Sequence, residues 1–164
     1  PAYTRKLKAM MMYLSDNIPY EVNISKLSSY LEINKMTVLN YLSNLQRAEL
    51  LNLLYSDNKS VTKMQKPDKI YLQNTNILYA LGTQQNIGTI RECFVVNQLS
   101  KEHIVEYGKA QGDFRIDGKI TFEVGGKDKS FDQIADIPNS YILADSIEFP
   151  IGKKLPIWLM GLLY

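Results

Sequence analysis

The sequence predicts an α+β chain of two small domains, residues 1–80 and 81–164, and three observations predict it. Apolar residues recur at helical spacing three times within the first fifty positions. Three short strand-like runs, residues 104–107, 113–116 and 119–124, follow one another closely in the second half. The charge also divides there: ten Lys/Arg stand against six Asp/Glu in residues 1–80, and nine against eleven afterwards, so a net +2 hides halves of +4 and −2. With 164 residues and 45% hydrophobic content, the chain has the means to build a core in each half.

In residues 4–15, Leu7, Met10, Met11 and Leu14 fall at i, i+3, i+4 and i+7, one face of a first helix. Asn23 is placed to cap a second, in which Leu27 and Leu31 share a face. Glu32-Ile33-Asn34 makes a tight connection into a third, residues 35–50. There Val38, Leu42, Leu45 and Glu49 share one side, leaving Lys35, Thr37, Asn40, Tyr41 and Asn44 elsewhere and exposed. A strand-like run at 51–55, the polar turn Ser56-Asp57-Asn58-Lys59-Ser60 and an extended return to Lys69-Ile70-Tyr71-Leu72 predict a hairpin.

Three helices, the last two joined by a three-residue turn, and then a hairpin resemble the winged helix-turn-helix domains of many DNA-binding proteins. That resemblance implies a third helix in the major groove, with Asn40 and Asn44 offering amide pairs to base edges and Thr37 and Tyr41 hydroxyls. Lys35, Lys59, Lys63 and Lys66 would neutralise phosphates. Only Lys35 and Arg47 are basic within the third helix, which equally suits a solvated face or a protein-binding surface.

In the back half, Ile77-Leu78-Tyr79-Ala80-Leu81 and a polar loop over 82–88 serve as the linker, and residues 89–100 form a helix lined by Glu92, Val95, Val96 and Leu99. A carboxylate beside an apolar face needs a partner. Gly118 suits a turn between the second and third strands, so the three strands form an antiparallel meander. Residues 130–137, with Phe131, Ile134 and Ile137, complete a helix, and 141–144 a buried strand. The order is α-β-β-β-α-β.

An acid on the helix (Glu92), one on the second strand (Asp113) and one on the third (Glu123) resemble the core of the restriction-endonuclease-like, or PD-(D/E)xK, nucleases. In such a frame Asp113 and Glu123 are the metal ligands for Mg²⁺ or Mn²⁺, which polarises a phosphate and activates water, and Glu92 completes the acidic site. The lysine that steadies the water stands two residues after the Glu, on the same strand face. Here that position is Gly125, and Lys127 is the candidate that would have to swing back. A tight turn explains Gly125-Gly126 as well as a ligand does.

A wider resemblance covers most of the chain. Lys66-Pro67-Asp68-Lys69-Ile70-Tyr71-Leu72, Gly88-Thr89-Ile90-Arg91-Glu92, Gly112-Asp113-Phe114, Thr121-Phe122-Glu123-Val124-Gly125-Gly126-Lys127 and Pro156-Ile157-Trp158-Leu159 are together similar to the C-terminal part of a family of bacterial AAA-type ATPases. The resemblance implies a P-loop ATPase domain ahead of the winged helix and the nuclease-like domain, with ATP bound there. A first residue that is not Met and an opening directly into helix-like sequence agree with a piece of a longer chain. Gly-Lys occurs at Gly108, Gly118, Gly126 and Gly152, but none completes a P-loop, so ATP hydrolysis is expected outside these residues.

Composition narrows the rest. The apolar run 155–164 is about half the length that crosses a bilayer, and no basic-then-apolar leader opens the chain, so no membrane is expected. A single cysteine, Cys93, forms no internal disulfide and fits a reducing, cytoplasmic setting as a small core residue. His103 alone seeds no zinc site. Arg91 and Arg115 suit structural ion pairs or phosphate, and Trp158 an apolar helix with Pro156 in its first turn. The expected function is a DNA- or partner-binding module of an AAA-type ATPase whose nuclease-like frame is inactive. A metal-dependent nuclease acting on DNA and a protein-interaction adaptor are the alternatives.

Overall fold

The computed structural model describes residues 2–56, 65–81 and 86–163, and the chain gathers into two compact units. The first takes in the chain up to Leu54 and the segment from Gln65 through Leu81; the second begins at Asn86, with Tyr55 and Ser56 joined to it. Each is a helix-and-sheet assembly, making the chain α+β. Among the described residues no helix is long and apolar enough to cross a membrane.

In the first unit α1 (Ala2–Ser15), α2 (Ile24–Leu31) and α3 (Lys35–Arg47) pack with Met10, Leu14, Leu27, Val38 and Leu42 sealed inside. The caps are explicit. Asn23 Oδ1 accepts from the Lys26 N–H at 2.9 Å, and Asn34 Oδ1 from the Thr37 N–H at 2.8 Å. Glu32 stands between the two helices at φ 52°, the left-handed residue that ends α2. Asn34→Ala is expected to cost about 1 kcal/mol, because the first turn of α3 loses its acceptor; a urea midpoint unchanged from wild type would show that water replaces the cap.

Below the helices, β2 (Leu51–Leu54) and β3 (Lys69–Leu72) pair antiparallel, Leu53 opposite Ile70. A two-residue strand, β1 (Tyr20–Glu21), adds to the other edge of β3. Of the predicted turn over 56–60, all but Ser56 falls within residues 57–64, outside the described residues, as do Lys59 and Lys63. Three expectations change here. Residues 75–81 are not a linker but a helix, α4 (Thr75–Leu81), capped by Asn74 Oδ1 on the Ile77 N–H. Glu49 lies beyond α3, exposed and at φ 54°, since the helix stops at Arg47. Tyr41 is buried rather than exposed, because its ring meets Tyr3 of α1 edge-on, centroids 4.9 Å apart.

The second unit is a five-stranded sheet with α5 (Ile87–Leu99) packed on it. β4 (Val105–Tyr107), β5 (Phe114–Ile116) and β6 (Ile120–Gly125) form the expected antiparallel meander. Asp117 and Gly118 turn the last two at φ 52° and 64°, and the Lys119 N–H donates to the Ile116 carbonyl, the pattern of a type I′ hairpin. Asp117 also ties the start of β4: its carboxylate accepts from the Ile104 N–H and pairs with His103 Nδ1 at 2.8 Å. These two partners hold its carboxyl below the usual aspartate range, the backbone bond contributing most.

Two further elements differ from the sequence reading. Residues 130–137 are successive turns, not a helix: Ile134 N–H donates to Phe131 and Ile137 N–H to Ile134. Pro138 disfavours a helical conformation at Ile137, and burying Ile134 on Ile142 and Ala144 satisfies the apolar spacing without a helix. β7 (Ser140–Ala144) then runs parallel to β6, and an additional strand, β8 (Lys154–Pro156), runs parallel to β7. Pro156 therefore closes a strand, and a 3-10 helix, Ile157–Leu162, follows it. Ile157 and Met160 of that helix face inward while Trp158 is half exposed. Cys93, fully buried on α5, has its thiol pushed up to about 12 by burial, which fits an inert core position.

Candidate functional site

The second unit brings three sequence-singled acids to one end of its sheet. Pairing of Phe114 with Phe122 sets Asp113, one residue before β5, beside Glu123 on β6. Asp113 Oδ2 accepts the Val124 N–H at 2.8 Å, and the Asp113 N–H donates to the Phe122 carbonyl at 2.9 Å, so the aspartate is held from both ends. Glu123 is 1% exposed. Glu92, half-buried on α5, adds its charge from the helix side.

The cation among these acids is Lys129, which the sequence reading did not single out. Its Nζ lies 2.5 Å from Glu123 Oε1. Burial disfavours the ammonium, but the hydrogen bond to Glu123 and the charges of Glu123, Asp113 and Glu92 outweigh burial and raise its pKa. Gln133 faces the same carboxylate; with its amide nitrogen turned inward it donates to Oε1 at 2.5 Å and to Oε2 at 3.3 Å. Lys127, the residue picked from sequence, is exposed, and its carbonyl accepts from Lys154 Nζ at 2.7 Å. Arg91 is an ion partner: its Nε and Nη2 both lie 3.0 Å from Asp145 Oδ2. Arg115 donates to the Gly118 carbonyl at the hairpin. The one clue to Lys129 in the sequence is Gly125 itself, a strand residue with no side chain to fill the place beside Glu123.

Whether Mg²⁺ or Mn²⁺ suits this donor set can be judged from the side chains. Among the described residues no three His, Cys, Asp or Glu side chains converge closely enough to hold a metal ion. One Asp113 oxygen is taken by a backbone N–H, and a Glu123 oxygen by Lys129. As arranged, the residues do not fit a divalent ion, since an inner-sphere metal at Glu123 has to displace the ammonium.

In the first unit the outer side of α3 lines an open groove of about 920 Å³. Thr37, Asn40, Tyr41 and Asn44 from the sequence reading border it, joined by Tyr3, Ser43 and Arg47, which that reading left out of the surface. Asn40 and Asn44 are exposed, and Asn44 Nδ2 donates to the Tyr3 hydroxyl at 3.3 Å. Tyr41 offers its edge from a buried ring, and Lys35 stands exposed at the helix start outside the groove. Helices α1, α2 and α3 carry Arg5, Lys6, Lys8, Lys26, Lys35 and Arg47 and no acidic residue at all. The acids of this region lie in the connections, as Glu32 does, 3.2 Å from Lys6.

No family model, curated protein or solved structure matches the chain.

Proposed function

We propose that the chain is a DNA-binding module, the C-terminal part of an AAA-type ATPase whose ATP chemistry lies in a domain ahead of it. In this reading the first unit is a winged helix that lays α3 in the major groove, and the second is a restriction-endonuclease-like scaffold that does no cleavage. The observation that carries the proposal is the α3 face: amides and hydroxyls at Thr37, Asn40, Ser43 and Asn44, the cation Arg47 at its C-terminal end, and no acid on any of the three helices, with Lys35 exposed at the helix start beside that face rather than on it. Amide groups read base edges, and flanking cations anchor phosphates. An acid-free helix set removes the repulsion that a phosphate surface would otherwise meet. The ATPase parentage rests on the spaced motifs of the sequence alone.

Anisotropy titrations of a labelled duplex test the DNA reading. Affinity is expected to fall steeply with salt, with a log-log slope of about −4 if four or five phosphates are neutralised. Asn40→Ala and Asn44→Ala are each expected to weaken binding by roughly 5- to 150-fold, the discrimination carried by one amide pair. Arg47→Ala should reduce the salt slope by about 1 whatever the sequence of the duplex. Undetectable binding, or binding indifferent to salt, would sink the DNA reading and leave this face to a protein partner.

A further inference from the structure

We infer that Lys129 is a built-in cation that stands where a divalent metal would stand among Glu92, Asp113 and Glu123, and that Gly125 is kept free of a side chain to let its stem pass. The acid frame is then complete without metal.

β6 ends at Gly125, and the Lys129 N–H donates to the Gly126 carbonyl at 3.1 Å, a turn that folds the chain back on the strand end. Strand side chains alternate, so a side chain at 125 would share the face of Glu123. A Cβ built there would come within 2.8, 2.8 and 2.9 Å of Lys129 Cβ, Cγ and Cδ. The methylenes of Lys129 thus occupy the volume of a side chain at 125, and the ammonium arrives beside Glu123 from four residues downstream.

Burial decides which acid needs this cation. Glu123 is sealed, whereas Asp113 and Glu92 are only half-buried and keep water on part of their surface. An ionised carboxylate removed from water is costly unless a partner neutralises it. Gln133 supplies a dipole to Glu123, Arg91 is engaged with Asp145, and Lys129 alone among the described cations is paired with Glu123. A metal ion here would compete with a tethered charge at the one carboxylate that can least do without it.

Thermal melting of the whole chain, with and without Mn²⁺, provides the test, beside direct titration of Mn²⁺ followed by its electron paramagnetic resonance signal. The wild type is expected to melt at the same temperature in Mn²⁺ and in EDTA and to leave the free-ion signal undiminished. Lys129→Met should melt lower in EDTA, deplete the Mn²⁺ signal and regain roughly 10 °C in saturating Mn²⁺, because a ligand that binds only the folded state stabilises it. Should that variant fail to fold, Gly125→Lys combined with Lys129→Gly clears the Cβ that a side chain at 125 would meet and returns an ammonium to Glu123 from the strand; it is expected to melt above Lys129→Gly alone and to ignore Mn²⁺. Mn²⁺ binding by the wild type, a Lys129→Met protein as stable as wild type in EDTA, or a swap variant that melts no higher than Lys129→Gly would each overturn the inference.

Discussion

Phe114→Ala is expected to lower the stability of the second unit by about 3–5 kcal/mol, the usual cost of deleting a buried phenyl ring. Phe114 is fully buried at the centre of the meander, opposite Phe122, whose ring in turn lies 6.3 Å from Tyr141 on the neighbouring strand. The side chains around the void stand on hydrogen-bonded strands and cannot close it by themselves. Against a total of about 5–15 kcal/mol for an ordinary domain, the loss is a large part of what holds the sheet together. Urea unfolding followed by circular dichroism should show the midpoint of the sheet-bearing transition fall while its slope is kept. A loss under about 1 kcal/mol would mean that the surroundings collapse into the space, contrary to a close-packed core. Because Asp113 is the residue before Phe114, loosening β5 also loosens the acid frame.

That coupling explains what the sequence could and could not reveal. Asp113 and Glu123 were legible as neighbours because a hairpin fixes register locally: Asp117-Gly118 forces the turn, and the two carboxylates then face each other across it. The Asn23 cap was legible for the same reason, since it acts on an N–H group three residues away, whereas Asn34, read only as the end of a tight connection, turns out to cap α3 in the same way. Lys129 was not, because its place depends on a turn returning over a glycine, a feature of tertiary space rather than of spacing along a strand. Tyr41 looked exposed on the helical wheel of α3 alone, and only α1 supplies the Tyr3 ring that covers it. Phe131, Ile134 and Ile137 imitate a helix at three-residue intervals, yet so do successive turns that bury Ile134. The polar face of α3 was readable, but the absence of acid from all three helices matters only once they are known to pack as one body.

Gly112→Ala is expected to cost about 2–4 kcal/mol and to disturb Asp113 beyond its effect on stability. Gly112 has φ +80°, where an L side chain is strained, and an added Cβ would lie 2.8 Å from Thr121 Cγ2, 3.0 Å from the Phe122 carbonyl oxygen and 3.2 Å from Ile134 Cγ2. The Phe122 oxygen is the least able to yield, since it accepts the Asp113 N–H that anchors the aspartate to β6. Relief therefore requires the segment ahead of β5 to lift away, carrying Asp113 Oδ2 from the Val124 N–H. Hydrogen exchange separates this from simple global destabilisation. The Asp113 and Val124 amides should lose protection selectively in Gly112→Ala, while the Phe114→Ala variant lowers protection across the whole meander. Equal loss at every strand in both variants would mean that Gly112 serves packing alone and that the position of Asp113 does not depend on the close approach of this glycine to the strand beside it.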